Sequence, residues 1–110
     1  MDPIALILAA LAAGTEDAAV PVRDAHAALM AQLRMRFAGR AAGEAALARY
    51  EDSAPGWEAA LGAELAAAGA DRDEGLLTEA QAVMSVADAP GWRAGEYTTQ
   101  GHGGQDRPGE

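Results

Sequence analysis

The sequence predicts an all-α protein: a small antiparallel bundle of four to five helices followed by a flexible C-terminal tail. Three observations support this fold class. Thirty of the 110 residues are alanine, the residue with the highest helix propensity. Apolar residues recur at steps of three and four, and no segment shows strand alternation of useful length. Glycine, proline and acidic clusters divide the chain into short helices joined by short loops.

The first predicted helix covers residues 2–13 and is apolar on every side. Asp2 is the predicted N-cap, Pro3 the first helical residue and Gly14 the C-terminal stop. A helix without a polar face is expected to lie in a protein core or in lipid, and this one is too short to span a bilayer alone. No basic residue precedes it, so we expect it to be retained rather than cleaved as a signal peptide. Its large apolar residues, which are candidates for core packing or membrane insertion, are Ile4, Leu6, Ile7, Leu8 and Leu11.

The remaining predicted helices are amphipathic. Their starts are placed at residues 15–17, at residue 40, in the turn cluster 51–56 and at residues 71–74. Asp71 and Glu74 have the spacing of a capping box, which makes Asp71 the predicted N-cap of the last helix. From Pro90 onward glycine, glutamine, threonine and charged residues dominate. The bundle is therefore predicted to span residues 1–89, and a Gly/Gln-rich flexible tail residues 90–110.

Charge is unevenly distributed along the chain. The net charge is −9, yet residues 23–49 hold five arginines against two acidic residues. An acidic chain binds phosphate groups poorly, so no nucleic-acid partner is expected. The basic stretch has two interpretations: it pairs with the acidic residues 51–79 within the protein, or it contacts anionic lipid headgroups. For the second interpretation the candidate residues are Arg34, Arg36 and Arg40.

No residue pattern predicts catalysis, a metal site or a cofactor. His26 and His102 stand far apart, with no cysteine or paired carboxylates at metal-ligand spacing. The chain contains no phosphate-binding loop, dinucleotide fingerprint or nucleophile elbow. We therefore expect a protein that is not an enzyme. The absence of cysteine also favours a reducing, intracellular setting.

Four blocks of sequence within residues 2–97 carry a family resemblance. They are the Asp-Pro start with the apolar helix after it, the arginine-bearing block 33–37, the run 57–61 together with Gly-Ala-Asp-Arg-Asp-Glu at 69–74, and Gly-Glu-Tyr at 95–97. In these blocks the chain resembles bacterial Bell domains. Those are four-helix cell-death domains, analogous to fungal HeLo domains and to the helical executioner domains of plant and animal immunity.

The resemblance implies a membrane-directed cell-death effector of a bacterial immune system. It implies a cytoplasmic protein that is recruited to the inner face of the cell membrane on activation and acts through its first helix. The implied partners are membrane lipids, an NLR-type sensor or adaptor protein, and further copies of the chain. Bell domains are usually followed by a short amyloid signalling motif. Residues 101–108 depart from such a motif, because they contain no β-branched residue and include a proline.

Other functions remain open. The chain is alternatively a helical adaptor that recruits another protein through its surface and has no activity on membranes. A third alternative is an antitoxin- or chaperone-like protein that neutralises a basic partner, since the chain is strongly acidic. In both cases the first helix is simply the central helix of the bundle.

Overall fold

The computed structural model describes residues 1–15 and 17–98 and confirms the all-α fold class. Within these ranges there are six α-helices and no strand. Five helices have at least eleven residues, and the sixth has five. They are α1 (Pro3–Ala13), α2 (Val20–Phe37), α3 (Ala41–Asp52), α4 (Ala54–Ala67), α5 (Glu74–Ala87) and α6 (Ala89–Arg93), with a 3₁₀ turn (Ala70–Arg72) before α5.

The helices form two groups. In the first group α5 packs against α1, α2 and α6. Arg36 near the end of α2 bonds to Asp73 at the start of α5, which shows that these two helices run antiparallel. In the second group α3 and α4 are separated by Ser53 alone and pack on each other. The guanidinium of Arg49 lies over the Trp57 ring at 5.1 Å and joins these two helices. This α3–α4 hairpin contacts the first group mainly through α1 and only narrowly through α2.

Helix starts follow the prediction at α1 but not at α5. Asp2 is the N-cap of α1, and its carboxylate accepts from the Ala5 N–H at 3.0 Å. At α5, however, the N-cap is Asp73, which accepts from the Leu76 N–H at 3.1 Å, and the predicted cap Asp71 lies in the 3₁₀ turn. Gly69 adopts a left-handed φ of 77° after α4, so the chain completes the extra turn before α5 can begin.

Two other predicted boundaries also shift. The start predicted at residues 15–17 is wrong, because α2 begins at Val20, where Pro21 occupies the first turn and fixes its backbone angle; Glu16 itself lies outside the described residues. Helix α4 begins at Ala54, with Pro55 in its first turn, and α3 continues to Asp52. The cluster predicted as a turn is therefore almost entirely helical.

The folded part continues beyond the predicted boundary at residue 89. Helix α6 packs on α5, and Tyr97 is buried. The reason is Asp88, whose carboxylate accepts from the Gly91 N–H at 3.2 Å and from the Tyr97 hydroxyl at 2.5 Å. Asp88 and Tyr97 thus hold residues 89–97 against the bundle, although the composition of this segment predicts a flexible tail. The rest of the predicted tail, residues 99–110, lies outside the described residues.

Two glycines mark the places where α-helices approach closely. A Cβ atom at Gly43 in α3 would lie 2.2 Å from the buried Phe37 ring at the end of α2. A Cβ atom at Gly62 in α4 would lie 3.4 Å from the Leu8 side chain and 3.7 Å from that of Ile4, both in α1. The first position has no room for a side chain, whereas the second would form ordinary van der Waals contacts.

Alanine substitutions at these two glycines are expected to have opposite effects on stability. Gly62→Ala should raise the free energy of unfolding by about 1 kcal/mol, because alanine favours the helix and adds contact with α1. Gly43→Ala should lower it by about 1–3 kcal/mol, because the new methyl group displaces the Phe37 ring. Urea unfolding followed by circular dichroism measures both. Destabilisation by Gly62→Ala would contradict the α1–α4 packing described above.

Candidate functional site

Helix α1 is enclosed by the bundle along most of its circumference. It contacts α2, α4, α5 and the 3₁₀ turn. Leu6 and Ile7 are fully buried and Leu11 is 4% exposed, whereas Ile4 and Leu8 are half-buried against the core. The structure therefore brings all five predicted apolar residues of α1 into the interior or its margin.

The solvent-facing side of α1 is made of alanine. Ala5 and Ala12 are two turns apart on one side of the helix, and both are exposed. Alanine exposes little apolar area, so this side carries neither a charge nor a large hydrophobic group. Helix α1 can therefore lie at the surface of the folded protein and still be apolar on every side.

Both ends of α1 are held by contacts distant in sequence. At the start, the Met1 ammonium group donates to the Thr98 carbonyl at 2.7 Å. At the end, the His26 ring of α2 lies directly on Gly14, where a Cβ atom would come within 2.1 Å of that ring. The segment after α6 thus contacts the start of α1 through Thr98, and α2 contacts its end through His26.

The segment that meets the start of α1 is itself fixed by Tyr97. Its hydroxyl donates to Asp88, and its carbonyl accepts from the Gln81 amide at 3.2 Å. The hydrogen bond to Asp88, followed by burial, raises the pKa of Tyr97 to about 12. The neutral phenol is therefore the form that this segment requires.

The three candidate arginines have different surroundings. Arg36 bonds to Asp73 through Nε at 3.0 Å and Nη2 at 2.6 Å, and Nη1 donates to the Ala68 carbonyl at 3.2 Å. Arg34 makes only a long contact of 3.4 Å with Glu51, and both groups are exposed. Arg40 is exposed and forms no ion pair with any residue of 1–15 or 17–98. Arg36 thus joins α2 to α5, while Arg34 and Arg40 are accessible.

Asp73 links the Arg36 contact to the start of α5. Partial burial by itself raises the pKa of this carboxyl, but hydrogen bonds from Arg36 and from the Leu76 and Gly75 backbone outweigh it. The pKa of Asp73 is therefore lowered from its usual value. Its stabilising contribution is complete above the unfolded-state value of about 3.9 and is lost as the pH falls through the folded-state value.

Two hollows lie side by side along α2 and form what we call the interhelical groove. The larger, about 630 Å³, lies between α1, α2 and the corner where α3 meets α4. The smaller, about 360 Å³, lies between α2 and α3. Both are lined by Arg34 and Glu51, so this ion pair crosses the middle of the groove. Buried apolar side chains line its two halves: Leu11, Met30 and Tyr50 in one, Phe37 and Leu47 in the other.

The rim of the interhelical groove is mainly acidic. Glu44, Glu51 and Glu58 recur every seven residues and are all exposed, against Arg34 and the half-buried His26. Burial and the neighbouring negative charge of Glu58 raise the pKa of Tyr50 in the groove wall. The groove therefore combines an apolar floor with a negative edge.

The sequence did not predict the interhelical groove, nor the tertiary contacts of the Asp73 and Asp88 carboxylates. The seven-residue recurrence of the three glutamates is visible in the sequence, but Glu58 belongs to a different helix from Glu44 and Glu51. Asp73 and Asp88 have the sequence signature of N-caps. The second partner of Asp73 is Arg36, which becomes its neighbour only through the packing of α2 on α5. The second partner of Asp88 is Tyr97, which reaches it because the chain folds back after α6.

Comparisons with known proteins found no matching family model, curated protein or solved structure. None of the described helices combines the length and apolar character needed to cross a bilayer. Within residues 1–15 and 17–98, no three His, Cys, Asp or Glu side chains are grouped so as to hold a metal ion. The functional proposal therefore rests on the geometry of this chain together with the sequence resemblance.

Glutamine substitutions should separate the structural arginine from the accessible one. Arg36→Gln is expected to lower the free energy of unfolding by about 1–2 kcal/mol, because Asp73 loses its charged partner. Arg40→Gln, which removes the same charge from an exposed position, should change it by less than about 0.5 kcal/mol. Denaturant unfolding at neutral pH measures both. Equal effects would show that Arg36 does not tie α2 to α5.

A spectroscopic titration tests the Asp88–Tyr97 contact. Tyr97 contributes stability that is complete below its unfolded pKa of about 10 and is lost as the pH rises through about 12. Asp88→Asn should therefore shift the Tyr97 titration to lower pH. The measurement is the ultraviolet absorbance of tyrosinate, with Tyr97→Phe as the control that identifies which transition belongs to Tyr97. An unchanged titration in Asp88→Asn would contradict the assignment.

Proposed function

We propose that this domain is a membrane-directed cell-death effector of a bacterial immune system, which acts through α1 after activation and self-association. The observation that supports it best is that α1 is apolar on every side, occupies the N-terminal end of the fold and turns its alanine side to solvent. The resemblance to Bell domains supports the same function.

Releasing α1 into water costs free energy, and burial of the helix in lipid offsets that cost. Exposing Leu6, Ile7 and Leu11 costs about 1.5–3 kcal/mol for each side chain. Burial in the apolar part of a bilayer returns a similar amount, so a membrane can draw the helix out where water cannot. The balance then depends on how well the remaining helices close over the vacated space.

The length of α1 limits how it can act. Its eleven residues extend about 16 Å, roughly half of the hydrocarbon thickness of about 30 Å. A single copy would therefore lie in the membrane interface, with its apolar surface among the acyl chains. Disruption of a bilayer then requires several copies, which is the reason that the proposal includes self-association.

The residues available to contact anionic lipid headgroups are the accessible arginines, Arg34 and Arg40. Arg34 and Arg40 can each gain about 1 kcal/mol near an anionic surface, while Arg36 remains with Asp73. The net charge of −9 opposes this attraction. The domain must therefore approach with the end of α2 toward the lipid, and salt should weaken the approach.

Aspartate substitutions on the exposed side of α1 test the proposal without disturbing the core. Ala5→Asp with Ala12→Asp should reduce dye leakage from vesicles containing anionic lipid several-fold, because the two carboxylates resist burial among the acyl chains and are repelled by the anionic headgroups. Ala59→Asp with Ala63→Asp, on the exposed side of α4, is the matched control with the same added charge. Circular dichroism verifies that both variants remain helical.

The outcome is decided by the wild-type protein and the control pair together. Leakage that survives in the control but not in the α1 variant would support the proposal. If the intact protein neither binds nor permeabilises the vesicles, and its expression does not harm cells, the effector function is wrong. Equal loss in both variants would attribute leakage to net charge and not to α1.

A second candidate function, a helical adaptor, is favoured by the interhelical groove. An open groove with an apolar floor and a charged rim is the kind of surface on which a partner's amphipathic helix docks. An adaptor needs no release of α1, because the groove is open in the folded bundle.

A further inference from the structure

We infer that the interhelical groove is a docking site for a cationic amphipathic helix of a partner protein. This inference rests on the adaptor function and does not require α1 to enter a membrane. The shape of the groove, its apolar floor and the charge on its rim each point to such a helix.

The dimensions of the groove suit about three turns of helix. Its α2 side extends from His26 to Phe37, which is about 16 Å along the helix axis. The accessible apolar surface is that of Ala12, Ala54 and Pro55 in the larger hollow and of Ala48 in the smaller. Beneath it lie buried side chains: Met30, Tyr50, Phe37 and Leu47. A helix placed along α2 would set apolar side chains at positions i, i+3 or i+4, and i+7 onto this accessible surface.

The rim charge selects a basic helix. Three exposed glutamates, Glu44, Glu51 and Glu58, face one accessible arginine, Arg34. Positive charges on the partner helix would be attracted to this edge within about 8 Å, the Debye length at physiological salt. Their pairing with the glutamates would fix the register of the helix in the groove. Lysine or arginine beside the apolar face of the docking helix therefore completes the rim.

The Arg34–Glu51 ion pair lies between the two hollows of the groove, and a basic residue of a partner can replace Arg34 in it. It is long, at 3.4 Å, and the two side chains are 61% and 45% exposed, so opening it costs little. A basic residue of the partner can take the place of Arg34 beside Glu51. The two hollows would then join into one continuous surface.

Two other occupants fit the groove less well. An anionic single-chain amphiphile would place its head group beside three glutamates. Helix α1 of a second copy has a suitable length but carries no basic residue to meet them. A basic amphipathic helix is the occupant that matches both the floor and the rim.

The test is direct binding of a labelled synthetic peptide of about 12 residues, with leucine on one helical face and lysine on the other. Fluorescence anisotropy is measured with the full chain. Glu44→Gln, Glu51→Gln and Glu58→Gln combined should weaken binding at least about fivefold. The same change at Glu74, Glu79 and Glu96, none of which lines the groove, should weaken it less than about twofold and controls for net charge.

A second pair of variants tests the apolar floor. Ala48→Phe fills the smaller hollow from an exposed position of α3 and should weaken peptide binding at least about fivefold. Ala45→Phe adds the same ring at an exposed position outside both hollows and should leave binding unchanged. Circular dichroism confirms that each variant is folded, and vesicle leakage by Ala48→Phe should equal that of the wild type.

Three results would overturn the inference. The first is equal weakening by the two glutamine triples, which would indicate nonspecific attraction to an acidic protein. The second is equal affinity for a peptide in which glutamate replaces lysine. The third is displacement of the peptide by a fatty acid whose binding depends on Arg34, which would make the groove an amphiphile site. Failure of the leakage assay alone would overturn the membrane function and leave the groove intact.

Discussion

Burial of α1 is the constraint on which the rest of the structure depends. The chain has only sixteen leucine, isoleucine and valine residues, and α1 supplies five of them. Leu6 and Ile7 have no solvent exposure, and α2, α4 and α5 all pack around the helix that carries them. A protein with so few large apolar side chains cannot replace that contribution from elsewhere, because hydrophobic stabilisation scales with the apolar area removed from water. The segment proposed to act on membranes is thus the same segment that holds the folded state together.

Small residues determine how closely neighbouring helices pack. Gly43 allows α3 to lie against Phe37, and Gly62 allows α4 to lie against Leu8. Alanine on the outer side of α1 leaves it apolar without a large exposed patch. The α3–α4 hairpin nevertheless meets α2 only narrowly, and the interhelical groove is the space left between them.

The two proposed surfaces share residues and are therefore linked. Leu11 and Ala12 belong to α1 and also line the larger hollow of the groove. Release of α1 would remove this wall, so a partner that binds the intact groove stabilises the state in which α1 is housed. Occupation of the groove and entry of α1 into a membrane are in this respect opposed. Arg36 and Asp73 line neither hollow of the groove, and they join α2 to α5.

The sequence by itself determined the fold class, the apolar character of α1 and its Asp2 cap, because these follow from helix propensity, periodicity and local capping. It also located the arginines, but not their roles. Only the tertiary structure decided that Arg36 pairs with Asp73, that Tyr97 bonds to Asp88 and that three glutamates border one groove. The physical reason is that Arg36 and Asp73 are far apart in sequence, that the three glutamates lie on two helices, and that Tyr97 reaches Asp88 only because the chain folds back after α6. Their proximity follows from how the helices pack, which local patterns do not encode.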